Sequence, residues 1–159
     1  MSDQIAIQDL YADRYSWCFG CGRLHESGFH VKSYWDGEET VCYFQPPAYY
    51  TGGWPEVMYG GVLASLVDCH SGATASATKA REMGLAEDAE VPRFVTASLK
   101  INLLAPTPAG APLELRAKVR SLEGRKAWVD ARVIADGQVT CTGETLMIQV
   151  RDQSSDTQQ

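Results

Sequence analysis

The run of residues 60–83 constrains the fold most, because it has the length and composition of one long helix. Gly60 and Gly61 open this run, and Asp68 is its only charged residue before Lys79. Glycines at a helix start expose backbone N–H groups at the positive end of the helix dipole. A carboxylate in apolar surroundings is costly unless it is paired or used. The run therefore predicts an oxyanion site together with an acid/base or nucleophilic group.

Segments rich in β-forming residues surround the predicted helix. Two strands are predicted before it, at residues 28–35 and 39–45, and four after it, at residues 93–104, 112–122, 126–135 and 138–150. The remaining segments are predicted to be a short helix within residues 1–17, an irregular loop at 46–58 and a disordered tail at 152–159. This element order predicts an α+β fold in which a curved antiparallel sheet wraps around one long helix.

The helical run carries two distinct stripes of side chains at 3.6-residue spacing. The stripe predicted to lie on the sheet consists of Val62, Leu66, Cys69, Ala73 and Ala80. The neighbouring stripe of small or polar residues, which permits close approach of a second chain or a ligand, consists of Gly61, Ser65, Asp68 and Gly72. His70, two residues beyond Asp68, points to another face and is predicted to be a packed or interface histidine. Because one helix cannot cover both faces of the sheet, a dimer is expected.

Composition predicts a single soluble domain over residues 1–159, with residues 1–17 as an N-terminal extension. Hydrophobic residues make up 45% and charged residues 21% of the 159 residues. No apolar run is long enough to span a membrane, and the N-terminus lacks the pattern of a signal peptide. Five cysteines without a disulfide-framework spacing favour a reducing cytoplasm. The net charge of −6 argues against a general nucleic-acid binder.

The sequence resembles hotdog-fold acyl-CoA thioesterases, most of all the phenylacetate-degradation type. That family carries His-Gly-Gly with an aspartate nine residues after the histidine, and Tyr59-Gly60-Gly61 with Asp68 matches it except for the tyrosine. The other matching parts are residues 96–106 with Gly110, the turns Gly124-Arg125 and Asp136-Gly137, and the N-terminal element Cys18–Gly22 with Gly28-Phe29. The resemblance covers roughly residues 18–150.

The resemblance implies hydrolysis of acyl-CoA thioesters to a free acid and CoA. By position, the Gly61 N–H beside Gly60 would polarise the thioester carbonyl, and Asp68 would act as nucleophile or as base for water. Thr96 corresponds to a hydroxyl that positions the water. No cofactor is implied, since coenzyme A is part of the substrate. The expected assembly is a homo-oligomer, either a dimer or a dimer of dimers, with the acyl group bound between subunits.

Tyr59 is a departure from the family pattern, because a phenol with a reference pKa of about 10 is a poor base at neutral pH. The family's asparagine or glutamine several residues before the Gly-Gly pair also has no clear equivalent. These departures motivate an alternative function, non-hydrolytic binding of acyl-CoA or a small ligand. A hydratase or dehydratase is a weaker alternative, because no catalytic histidine lies beside an acidic residue at the helix start.

Basic residues between positions 100 and 132 are mostly expected on the solvated face of the sheet. Arg125 and Lys126, at a predicted turn, are the candidates for contacts with the phosphates of coenzyme A.

Two cysteines and two histidines near the N-terminus raise the question of a metal site. Cys18, Cys21, His25 and His30 could be read as four zinc ligands, but their spacing is much tighter than the usual finger. The alternatives are small buried side chains in a glycine-rich turn, or a redox Cys-x-x-Cys pair. We therefore expect the purified protein to carry no stoichiometric zinc.

The spacing of Gly61 and Asp68 also predicts a shared active site. Seven residues of one helix separate them by roughly 10 Å, whereas the N–H donor must lie within about 3 Å of the reacting oxygen. Antiparallel helices from two chains would place Asp68 of one beside Gly61 of the other.

Overall fold

The structure, a computed structural model, describes residues 3–151, so the predicted tail at 152–159 lies outside the described residues. The elements are 3₁₀ turns at Ile7–Leu10 and Asp13–Tyr15, strands β1 (Tyr34–Asp36) and β2 (Glu39–Phe44), helix α1 (Gly60–Glu82), and strands β3 (Phe94–Leu103), β4 (Leu113–Glu123), β5 (Lys126–Ala135) and β6 (Gln138–Gln149). Within this part of the chain, no helix has the length and apolar character to cross a membrane.

The six strands form one antiparallel sheet in the order β1-β2-β4-β5-β6-β3. Helix α1 packs against five of them, β2 to β6. Alternate residues of β4 supply the buried face, as the sequence pattern predicts: Leu113, Leu115 and Ala117 are buried, whereas Glu114 and Arg116 point outward. One long helix on a curved antiparallel sheet confirms the predicted hotdog architecture, and the four strands after the helix lie within a residue or so of their predicted bounds.

Gly143 on β6 is the point where helix and sheet come into tight contact. A Cβ atom at this residue would lie 2.5 Å from Cγ1 of Val67 on α1 and 3.3 Å from Cδ1 of Ile101 on β3. The absence of a side chain at Gly143 therefore sets how closely the middle of the helix approaches the sheet.

The first predicted strand is wrong over most of its length, because only residues 34–36 pair as β1. Gly28 and His30 have positive φ angles of 105° and 51°, which break an extended strand. The segment instead follows the glycine-rich loop, where the Val31 N–H donates to the Gly20 carbonyl at 2.9 Å.

The N-terminal segment forms 3₁₀ turns rather than a short α-helix, and it covers α1 on the side away from the sheet. Ile7, Gln8 and Tyr11 are all buried. The helix is consequently buried on every side from Ser71 to Ala77, a feature that amphipathic spacing does not predict. Cys69 is a second correction: it contacts the N-terminal Cys18 at 3.8 Å instead of lying on the sheet.

His70 joins the N-terminal segment to the sheet through a buried hydrogen-bond network. Its Nε2 lies 3.3 Å from the Thr40 carbonyl and therefore carries the proton, so Nδ1 accepts from the Ser33 hydroxyl at 2.7 Å. The Ser33 backbone N–H in turn donates to the side-chain oxygen of Gln8 at 2.7 Å. His70 is thus a packed histidine, as predicted from its spacing.

Burial of His70 should make the protein less stable in mild acid. Burial lowers the pKa of His70 from 6.5 to about 4. His70 therefore binds a proton below about pH 6.5 in the unfolded chain but only below about pH 4 in the folded protein. The contribution of His70 to the free energy of unfolding is complete above pH 7 and decreases as the pH falls from 6.5 to 4. We expect the free energy of unfolding to lose about 2 kcal/mol at pH 5 from this group.

Urea unfolding at pH 7 and pH 5 measures this effect, and His70→Gln, which has no titrating ring, is the control. An equal decrease in both proteins would assign the acid sensitivity to other groups.

Candidate active site

The start of α1 is held in place by the loop before it. The Tyr59 N–H donates to the Tyr50 carbonyl at 2.9 Å, and the Met58 N–H donates to the Thr107 carbonyl at 2.8 Å. No side chain caps the helix, and the N–H groups of Gly60 and Gly61 have no acceptor among residues 3–151. Two adjacent N–H groups at the positive helix end are thus available to an oxygen atom of a ligand.

The Tyr59 ring lies directly over Gly61. A Cβ atom at residue 61 would lie 2.5 Å from Cζ and 2.7 Å from Oη of that ring. Tyr59 is 56% exposed, so its side chain forms a solvent-accessible edge of the site. Glycine at position 61 leaves room for the ring to lie there, and the residue that departs from the family pattern therefore lies against the predicted oxyanion donor.

Asp68 is half-buried, two turns further along α1, and accepts a hydrogen bond from the Thr96 hydroxyl of β3. The pairing of β3 with β6 shifts register between Thr96 and Ser98, which leaves Ala97 as an extra residue. A bulge of this kind redirects neighbouring side chains. It lies at the point where Thr96 meets the carboxylate. The structure thus brings together two residues that the sequence predicted for the site.

The structure does not bring the other predicted residues together within one chain. Gly61 and Asp68 stay roughly 10 Å apart along the helix axis. Arg125 and Lys126 lie at the β4–β5 turn near the far end of α1, where the Lys79 ammonium donates to the Gly124 carbonyl at 3.3 Å. Both residues are exposed, and the Arg125 guanidinium donates to the Gln149 carbonyl at 3.0 Å.

An apolar groove of about 530 Å³ opens beside Gly60 and was not predicted from the sequence. Its lining includes Trp54, Leu63, Leu103 and Leu104. Leu103 packs so tightly on the helix start that a Cβ at Gly60 would lie 2.9 Å from its Cδ1. These residues come from three separate segments, so only the Pro-Gly loop composition at 46–58 could have hinted at the groove.

A second cavity of about 600 Å³ lies near the other end of α1. It is lined by the N-terminal segment, Trp35, Arg81 and residues 85–88, and it contains none of the predicted site residues. We therefore assign the groove beside Gly60, and not this larger cavity, to the candidate active site.

Strand β3 forms an apolar edge of the sheet. It pairs only with β6 among the described strands. Val95, Leu99 and Leu103 on β3 are 48%, 39% and 59% exposed. Long apolar edge strands are templates for pairing with another chain. This edge carries Thr96, so the candidate site borders the exposed strand.

Three cysteines meet beside the helix, although their sequence positions are far apart. The sulfur atoms of Cys18, Cys21 and Cys69 all lie within 4.8 Å of one another. Hydrogen bonds from the Cys21 and Cys69 thiols lower the pKa of Cys18, and the same interaction with Cys18 raises the pKa of Cys21 to about 11. His25 and His30 do not belong to this cluster. The cysteine pair was predicted to be noteworthy from its spacing, but the third cysteine was not.

Comparison with known proteins agrees with this geometry. Residues 56–142 match the family described as Thioesterase superfamily. A Thioesterase superfamily protein from Shewanella loihica PV-4, of known structure, is 37% identical with a TM-score of 0.67, covering 87% of this chain and 98% of that chain. The PaaI protein of the E. coli phenylacetic acid degradation operon has a TM-score of 0.62 at 17% identity, covering 77% of this chain and 81% of that chain, which shows a shared fold.

Among curated proteins, the acyl-coenzyme A thioesterase THEM4 of Bos taurus is 27% identical over 124 residues. The match covers 77% of this chain and 46% of THEM4, so the chain spans less than half the length of that relative. The family match extends over more than half of the sequence and contains both the glycine pair and Asp68; the chain belongs to the thioesterase superfamily.

Proposed function

We propose that this protein hydrolyses acyl-CoA thioesters, with Asp68 as general base or nucleophile and the Gly61 N–H as oxyanion donor. One observation carries the proposal: the Gly61 N–H at the helix start has no acceptor among the described residues, while two turns away a carboxylate is held by Thr96. Thioester hydrolysis needs these two groups, a donor for the developing oxyanion and a base or nucleophile.

In the general-base route, Asp68 takes a proton from a water molecule as the water oxygen adds to the thioester carbon. Thr96 orients the carboxylate through its hydrogen bond. Negative charge moves to the carbonyl oxygen, where the Gly61 N–H at the positive helix end stabilises it. The tetrahedral intermediate then collapses, the carbon–sulfur bond breaks, and the proton held by Asp68 passes to the leaving CoA thiolate.

The site would be completed by a second copy of the chain. The roughly 10 Å between Gly61 and Asp68 along one helix is too long for a short carboxylate to bridge. The exposed apolar edge of β3 provides a surface for pairing, and Thr96 lies on it. An antiparallel pair of α1 helices would then place Asp68 of one chain beside Gly61 of its partner, with the apolar groove beside Gly60 available for the acyl group.

Arg125 and Lys126 fit this arrangement as contacts for the phosphates of coenzyme A. Lys79, which touches the β4–β5 turn, lies eleven residues beyond Asp68, or about 16 Å along the helix axis. An extended pantetheine arm attached to a thioester at Asp68 would run toward that turn. The guanidinium and ammonium groups there are exposed and suited to phosphate oxygens.

A shared site predicts that two inactive variants restore each other. Asp68→Ala removes the carboxylate and Gly61→Pro removes the N–H, so each homodimer lacks one group at both sites. After subunit exchange, half of the dimers are mixed and each has one intact site, so activity should rise to about one quarter of the unmutated level. Thiol release is measured before and after exchange, with exchange confirmed by mass spectrometry of differently labelled chains. Exchange without recovery would show that each site is built within a single chain.

Tyr59→His should preserve or raise thioesterase activity, because it restores the family residue beside the glycine pair. The exposed Tyr59 ring makes no hydrogen bond within the described part of the chain, so its replacement should leave the fold intact. Turnover is measured on every acyl-CoA that the unmutated protein hydrolyses. A folded histidine variant without turnover on all of them would show that the phenol has a role of its own.

Hydrolysis itself is tested with a panel of acyl-CoAs of different chain length and aromatic character, assayed for free thiol release alongside calorimetric binding. Release with at least one substrate supports the enzyme. Binding without release would favour the alternative, a non-hydrolytic acyl-CoA-binding protein, in which the Tyr59 ring over Gly61 blocks the reacting carbonyl from the N–H.

A further inference from the structure

We propose that Cys18, Cys21 and Cys69 bind one Zn²⁺ ion that ties the N-terminal segment to helix α1, with a water molecule as the fourth ligand. The sequence led us to expect no metal because His25 and His30 were the only candidates to complete a site with Cys18 and Cys21. The structure replaces them with Cys69, which lies 51 residues after Cys18. None of the three cysteines is among the proposed catalytic residues.

The spacing of the sulfur atoms fits tetrahedral zinc. With Zn–S bonds of about 2.3 Å, two thiolates of a tetrahedral site lie about 3.8 Å apart. Sγ of Cys18 and Sγ of Cys69 are separated by 3.8 Å, and all three sulfurs lie within 4.8 Å of one another. A disulfide would require a sulfur–sulfur distance of about 2.05 Å and would use only two of the three thiols.

The backbone around the cysteines is shaped to bring them together. A Cβ atom at Gly20 would overlap Sγ of Cys69, so glycine at position 20 gives the helix cysteine access to the loop. A Cβ at Gly22 would lie 2.5 Å from the backbone nitrogen of Cys18, so glycine is also required there. The Gly20 N–H donates to Sγ of Cys18 at 3.3 Å, a hydrogen bond that stabilises a thiolate. The two glycines and the N–H donor thus hold the three sulfur atoms in an arrangement that is already formed without the metal.

The charge around the cluster suits a metal–thiolate group. One Zn²⁺ and three thiolates leave a single negative charge. The Arg93 guanidinium is half-buried over the Tyr11 ring at 4.5 Å, and among residues 3–151 it forms no ion pair with a carboxylate. Its charge acts on all three cysteines.

Zinc bound by these cysteines would cross-link the N-terminal segment to helix α1. Cys18 and Cys21 belong to the loop that follows the second 3₁₀ turn, whereas Cys69 lies on α1 beside Asp68. Each thiol that ligates the metal releases its proton to solvent, and the binding free energy adds to folding stability.

The test uses the full chain, freed of any histidine tag and purified under reducing conditions without chelators. Elemental analysis should find about one zinc per chain. Cys69→Ala should lose it, whereas Cys141→Ala, the same change at a buried cysteine of β6, should retain it. Cobalt added to the metal-free protein should produce the thiolate-to-cobalt charge-transfer bands of a tetrahedral sulfur site.

Three results would overturn the proposal. The first is an unmutated protein that neither carries zinc nor binds cobalt tightly after reduction. The second is stoichiometric zinc in folded Cys69→Ala, since the ligands would then lie elsewhere. The third is a disulfide among the three cysteines in protein trapped by alkylation at cell lysis, which would make the cluster a redox pair.

A measurement on the unmutated protein decides the matter if Cys69→Ala does not fold. Added zinc should protect Cys18, Cys21 and Cys69 from alkylation and leave the labelling of Cys42 and Cys141 unchanged. Equal labelling of the three cysteines with and without zinc would contradict the assignment.

Discussion

Asp68→Asn is expected to reduce thioester hydrolysis by about 10²–10⁴-fold, the loss typical of a missing general base. The amide has nearly the same shape as the carboxylate and still accepts the hydrogen bond from Thr96, so the substitution removes the base with little change in packing. Loss of a nucleophile would reduce the rate further. The measurement is kcat/KM for the best acyl-CoA of the panel, together with binding of that substrate.

The control for Asp68→Asn is Thr96→Val, which keeps the carboxylate and removes only the hydroxyl that positions it. We expect this variant to lose activity to a smaller extent. Oligomeric state and helical circular dichroism should be unchanged in both variants. An asparagine variant that keeps most of its turnover would exclude Asp68 as base or nucleophile.

Gly61→Pro should lower kcat by about 10²–10³-fold, the loss measured when one oxyanion donor is removed from other enzymes. Proline has no backbone N–H, and the first turn of a helix tolerates it because the N–H there has no intrahelical acceptor. The N–H of residue 61 has no acceptor in the described chain, so no structural hydrogen bond is lost.

Gly61→Ala is the matched control, since both substitutions add a Cβ that displaces the exposed Tyr59 ring but only proline removes the N–H. The comparison of kcat between the two variants therefore isolates the donor. Equal activities in folded Gly61→Pro and Gly61→Ala would show that another group stabilises the oxyanion.

The sequence predicts best the strands in which one face is buried and the other faces solvent, because their hydrophobic residues then recur at every second position. Strand β5 alternates between buried and less buried residues along its whole length, and β4 does so from Leu113 to Ala117, so their bounds follow closely from the sequence. Helix α1 is likewise identified by its length and its glycine start. The resemblance to thioesterases adds Thr96 to the candidate site as a hydroxyl that positions water. Its hydrogen bond to Asp68, 28 positions away, is seen only in the structure.

The features that the sequence does not predict depend on contacts between residues far apart along the chain. The positive φ angles of Gly28 and His30 turn a β-rich segment away from the sheet. The cysteine cluster forms only when the loop at Cys18 meets the helix at Cys69. The bulge at Ala97 depends on the register between β3 and β6. None of these contacts leaves a periodic pattern in the sequence.

Gly143 of β6 affects the position of Asp68 on helix α1, although the two residues lie on different elements. Because Gly143 has no side chain, Val67 can pack directly on the sheet. Asp68 follows Val67 in the helix, so its position depends on the same contact. The distance between α1 and the sheet at this point therefore helps to set how far the Asp68 carboxylate lies from the hydroxyl of Thr96. A methyl group at position 143 would push Val67, and with it helix α1, away from the sheet. Asp68 would move with the helix. In the proposed mechanism, a residue of the sheet that is not among the proposed catalytic residues thus helps to set the position of the base.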